Sequence, residues 1–150
     1  MSLENLLKIQ QLQRHTTNPL EVQRLLAAAS RNLADSQIAT ISDESRFDMA
    51  YKAIMQCAMV GLCANGYRPS TTMPGHHQTM IQSLGLTMGV PPEVWSVLDV
   101  LRRKRNLNDY GGNLIEPASV AECILQARNL LETTTAWLQA HHPEFLIEKP

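Results

Sequence analysis

The chain has 150 residues, enough for one domain with a sizeable core, and its formal charge of −1 excludes a global electrostatic pull toward nucleic acid or acidic lipid. At 44% hydrophobic and 18% charged it has neither a disordered nor a membrane composition. Aromatic residues make up only 5%, while Leu, Ala and Met are plentiful, and these fill a helical core without a sheet. The expected fold is therefore all-α, an up-and-down four-helix bundle with additional short helices, its core spanning about 18–141 of a single domain.

Three cysteines, Cys57, Cys63 and Cys123, form an odd set with no CxxC pair. That argues against a disulfide framework or a zinc site and for free thiols in a reducing compartment. The opening MSLENLLKIQQLQ lacks the pattern of a signal peptide, and no run approaches the ~18 apolar residues of a membrane span. The cytoplasm is the expected location, and no membrane partner is expected.

In chain order, 3–13 reads as a short helix. Asn18-Pro19 reads as cap and first turn of a helix to about Ala34, with Leu20, Leu26 and Leu33 among its apolar positions. Ser42 caps the next helix, whose first turn holds Asp43 and Glu44, favourable to the helix dipole. Its core face is Phe47, Ala50, Tyr51, Ile54, Ala58 and Leu62, and Asn65-Gly66 stops it. Met49, Met55, Met59 and Val60 widen the apolar surface. Such a helix is central, or it packs on a second chain, which makes a homodimer the expected assembly.

Residues 67–75 read as a loop and His76–Met88 as a short helix stopped by Gly89. Pro91-Pro92 opens a helix to about Asn108, and Gly111-Gly112 breaks the chain. Pro117 starts the last helix, with Val120, Ile124, Ala127, Leu131, Thr134 and Leu138 on one stripe. The tail from Pro143, with His141-His142 before it, is expected to fray. No stretch alternates as a half-buried strand does.

The most informative conflict lies in the helix at 91–108. Val94, Val97, Leu98 and Leu101 set an inward face, and at 100° per residue that face continues to Arg105. A cation on a core stripe is costly unless paired. Asp48, flanking the inward face of the 43–65 helix, is the expected partner, with Asp109 as the alternative. Arg102, Arg103 and Lys104 complete a basic run that also suits a solvated helix C-terminus. His76 and His77 follow Gly75 at a helix start, where a positive helix end favours neutral imidazole. A loop folded over the Arg105 end would make a composite Arg–His site. The alternative is that one histidine caps the helix and both face solvent.

RFDMAYKAIMQCA, GYRPSTTMPGHHQTMIQSL and LDVLRRKRNLNDY, in that order, resemble a divergent branch of the HEPN-type domains, the four-helix bundles of many prokaryotic toxin–antitoxin and nucleotidyltransferase-associated proteins. The resemblance covers about 46–130. It implies a dimer that brings together an arginine, a following polar residue and a histidine for metal-independent RNA cleavage. Arg105 and Asn106 match the first two, while Tyr110 stands where the histidine would be. An unperturbed tyrosine, with a pKa near ~10, is a poor base. The resemblance thus implies a binding module presenting Arg102, Arg105, Asn106, Asp109 and Tyr110 to RNA, a nucleotide or a protein such as an antitoxin. A ribonuclease using Arg105 with His76 or His77 is the alternative, and a structural adaptor fixed by Arg105–Asp48 the third reading. No cofactor and no metal site are expected, and no P-loop, Rossmann fingerprint, nucleophile elbow or HExxH occurs.

Overall fold

The computed structural model describes residues 1–112 and 115–147, with the side chains of 109 and 110 outside that description. It is an all-α helical bundle. The long helices are α2 (Pro19–Ser36), α3 (Asp43–Ala64), α6 (Pro92–Gly111) and α7 (Pro117–His141). Short helices α1 (Leu3–Lys8), α4 (His76–Gln82) and α5 (Leu84–Thr87) and a 3₁₀ turn at Pro143–Leu146 complete the helical part. Among the described residues no helix is long and apolar enough to cross a membrane.

Local chemistry accounts for the helix starts. The Asn18 side chain accepts from Glu21 N at 2.9 Å with Pro19 in the first turn, and the Ser42 hydroxyl accepts from Ser45 N at 3.2 Å. Gly66, at φ +87°, turns the chain after α3, where a side chain would be strained.

Helix α3 is central. It packs between α2 and α7 and also touches α4, α5 and α6. All six residues of its expected core face are buried, and so are Met55 and Val60, while Met59 packs partly buried against the same core. Most of the apolar width of α3 is thus covered within one chain, with Met49 partly buried, so it no longer argues by itself for a second copy. Val22, Val60, Ala64 and Leu138 form a smaller cluster, closed by Trp137, Phe145 and Leu146.

The structure departs from the sequence reading in five places. The helix expected over 3–13 stops at Lys8; Gln10 takes φ +65°, and Leu12–Arg14 form a strand, β1. This puts Leu12 in the core and pairs it with Pro69, a long-range gain that outweighs good helix propensity. The partner strand β2 (Tyr67–Pro69) occupies the start of the expected 67–75 loop, antiparallel to β1. The 76–88 helix is broken at Ser83, whose hydroxyl donates to Met80 O at 2.9 Å. Leu20 is 54% exposed, lying off the buried stripe of Val22, Ala29 and Leu33. The C-terminal stretch is docked as far as Ile147, because Gln23 Nε2 donates to the carbonyls of Phe145 and Ile147 at 3.1 Å each and His142 stacks on Phe145.

Candidate functional site

The site grows from the second and third turns of α3. Asp48 and Tyr51, three residues apart, share one side of that helix and meet α6 where Arg105 leaves it. Arg105 Nε donates to Asp48 Oδ1 at 3.1 Å, and its guanidinium carbon lies 5.1 Å from the Tyr51 ring centroid, a cation–π contact. The pair is less buried than the stripe arithmetic implied, with the Arg105 side chain 29% and the Asp48 side chain 52% exposed. The arginine stem covers the core edge while its head reaches an acid at the surface.

Tyr51 is buried, and its hydroxyl lies 3.0 Å from His77 Nδ1. The His76 and His77 rings meet edge to face at 4.7 Å. A continuous string therefore runs Asp48, Arg105, Tyr51, His77, His76. Both histidines are partly buried rather than solvent-facing. Burial pushes the His77 imidazole down to about 4, helped by His76, Arg105 and Arg102, so it is neutral near pH 7. Burial raises the Tyr51 phenol above its ordinary range against the pull of Arg105 and Arg102, so it keeps its proton.

Tyr51 was legible only as a core residue. The available signal was that a tyrosine on a core stripe needs a partner for its hydroxyl.

The rest of the basic run is also engaged. Arg102 Nε donates to Asp99 Oδ1 at 2.8 Å, and Arg103 Nε lies 3.5 Å from Asp99 Oδ2. Lys104 Nζ donates to Ser119 Oγ at 2.9 Å. Asn106 is partly buried, outside the string. The side chains of Asp109 and Tyr110 lie outside the described residues, so their expected roles have no geometry here. Beside Arg105 is a cavity of about 200 Å³ lined by Glu44, Ser45, Phe47, Asp48, Arg105 and Asn108. Among the described residues two carboxylates and one guanidinium line it, a balance that disfavours phosphate and suits a cationic group.

Comparison with family models, with curated proteins and with solved structures finds no match to this chain.

Two expectations follow from this geometry. Arg105→Ala should cost about 1–2 kcal/mol in urea unfolding, from a half-exposed ion pair plus a cation–π contact. Arg103→Ala, on an exposed side chain, should stay within about 0.5 kcal/mol. Equal effects would show that Arg105 contributes no more than a surface charge.

The second concerns pH. His77 is lowered from 6.5 to about 4, so the unfolded chain takes up its proton first as pH falls. This contribution to stability is complete above about pH 6.5 and is lost as pH falls toward about 4. Between pH 7 and pH 5 the wild type should lose about 1–2 kcal/mol more than His77→Gln, measured by urea titration at both values. Parallel losses would mean that His77 titrates as it does in the unfolded chain.

Proposed function

We propose that the chain is a HEPN-like helical-bundle interaction module that binds a protein partner and acts without catalysis, in a toxin–antitoxin or defence-type setting. The observation that carries this reading is the engagement of the whole basic run, each cation from Arg102 to Arg105 meeting an acid or hydroxyl of its own chain. RNA or nucleotide binding draws its affinity from cations offered to phosphates; Arg102 and Arg103 share Asp99, Arg105 meets Asp48 and Lys104 meets a hydroxyl, so three of the four cations are already held against carboxylates of the same chain.

The homodimer belongs to the same proposal, now resting on α6 instead of α3. Val100 and Leu107 are 42% and 56% exposed, seven residues apart on one face of the helix that carries Arg105. The HEPN resemblance puts the arginine motif at a dimer interface; this apolar pair lies on the face of the same helix turned away from Arg105, and it is the exposed apolar surface a second chain would cover.

Sedimentation at micromolar concentration should give twice the 16.8 kDa chain mass. A Val100→Glu, Leu107→Glu variant should sediment as a monomer with unchanged helical circular dichroism. A labelled single-stranded RNA should bind no better than it binds a neutral control protein. A monomeric wild type removes the dimer. Salt-sensitive RNA binding lost in Arg105→Ala replaces the protein partner with RNA.

One observation favours ribonuclease as the second reading: a neutral imidazole hydrogen-bonded to the tyrosine under Arg105. In that case metal-free cleavage should fall by about 100-fold or more in a His76→Ala, His77→Ala variant, the usual weight of acid–base catalysis. The expected result is no cleavage by the wild type, since a base titrating near 4 is a weak acceptor at neutral pH.

A further inference from the structure

At the other end of α3 a second set of side chains converges. Cys63, in the last turn, is fifteen residues from Asp48, or about 22 Å along the helix axis at the usual rise. One ligand atom each from His15, Glu21 and Cys63 lies within 4.8 Å of the others. His15 follows β1 and is fixed by its backbone N–H donating to Gly66 O at 2.9 Å. Glu21 sits in the first turn of α2 behind the Asn18 cap. Thr17 Oγ1 donates to the Cys63 carbonyl at 2.6 Å and ties the same connector to α3. Three donors are thus held by three separate stretches of the chain, the β1–α2 connector, α2 and α3.

We propose that His15 Nε2, Glu21 and Cys63 Sγ bind a single Zn²⁺ ion. The donor set is one imidazole, one carboxylate and one thiolate, the three ligand types zinc accepts. Cys63 Sγ lies 3.7 Å from Glu21 Oε1. Tetrahedral zinc with bonds near 2.3 Å to sulfur and 2.0 Å to oxygen has an S···O edge of about 3.5 Å. His15 Nε2 and Glu21 Oε1 are 2.8 Å apart and need to open only to the N···O edge of about 3.3 Å. Charge also balances, because a dication with one thiolate, one carboxylate and a neutral imidazole is neutral. Loading releases the Cys63 proton. Burial holds that thiol up at about 12, with Glu21 adding to the effect, so the metal itself must drive the loss.

His15 and Glu21 also line a cavity of about 510 Å³ together with Asn18, Arg24 and Arg68. The cavity gives room for a fourth ligand, and the two arginines favour a small anion over a cation there. Three protein ligands beside an accessible cavity are the pattern of reactive rather than purely structural zinc. The sequence criterion of paired cysteines passes over this set, because only one of its ligands is a cysteine.

The test uses the full chain, stripped with a chelator and titrated with Zn²⁺ against a competing chelating dye, with Co²⁺ as spectroscopic probe. One Zn²⁺ per chain is expected, with tetrahedral visible bands and a thiolate-to-Co²⁺ charge-transfer band in the near ultraviolet. Cys63→Ser should abolish the charge-transfer band. Cys63→Ser, His15→Asn and Glu21→Gln should each weaken Zn²⁺ binding by at least about 100-fold, more than loss of an outer-shell partner does. His15 and Glu21 are partly exposed, so their variants test the site even if Cys63→Ser folds poorly. Zn²⁺ affinity unchanged in both, or Co²⁺ binding without the charge-transfer band, would overturn the proposal. Neither result bears on the Arg105 end of the bundle.

Discussion

Tyr51→Ala should lower the unfolding free energy by about 3–5 kcal/mol, the usual cost of removing a buried aromatic ring. For a chain of this length, Tm should fall by about 2–4 °C for each kcal/mol. The ring is 2% exposed at the junction of α3, α4 and α6, and three things depend on it. It fills core volume, gives the Arg105 guanidinium a face to lie on, and holds His77 Nδ1 through its hydroxyl. Tyr51→Phe separates these roles. It keeps the ring and the cation–π contact, removes only the hydroxyl, and should cost about 1 kcal/mol. Thermal melts of both variants at pH 7 decide the matter. If Tyr51→Ala is no worse than Tyr51→Phe, the ring contributes no packing and the string from Asp48 to His76 has no structural centre.

Gly61→Val is the second large effect. A Cβ at position 61 would stand 2.9 Å from Thr87 Oγ1 and 3.3 Å from Thr87 Cβ. Thr87 is buried in α5, so it has little room to retreat. Valine adds two further methyl groups to that contact and should cost about 2–3 kcal/mol by overpacking. Alanine is the finer probe, since leaving glycine in a helix gains about 0.5–1 kcal/mol that offsets part of the clash. Gly61→Ala should therefore lie near zero and Gly61→Val far below it in urea unfolding. A neutral Gly61→Val would mean that α5 does not press on α3 at this point.

The helical fold was legible because its signals are local. Asn18, Ser42, the prolines at 19, 92 and 117 and the three-and-four spacing from Phe47 to Leu62 each act over one or two turns. The strand pair was not legible, since LENLLKIQQLQ carries helix formers and the reason to leave the helix lies more than fifty residues away at Tyr67–Pro69. For the site, the pairing of Arg105 with Asp48 could be read because a cation on an apolar stripe asks for an acid on the facing helix. The meeting of His77 with Tyr51 could not be read, because it depends on where the connection before α4 comes to rest. The width of α3 left two readings, a central helix or packing on a second chain, and the helix is central, between α2 and α7. Periodicity measures how much surface a helix must hide, not what hides it.

The ribbon of β1 and β2 carries a consequence for how the chain is made. Synthesis runs from the amino end, so Leu12 leaves the ribosome long before Pro69, its partner across the ladder. Until then β1 has no opposite strand, and α1 has no finished core on which to lay Leu6. The helices α2 and α3 can pair with each other first, because only a short turn separates them. A segment made before α2 and α3 is thus secured after them, and its closing contacts, from Gln11 to Ser70 and from His15 to Gly66, bracket the entire α2–α3 hairpin. A nascent chain paused before Gly66 would display Leu12 on an unpaired edge, the kind of surface that chaperones and neighbouring chains capture.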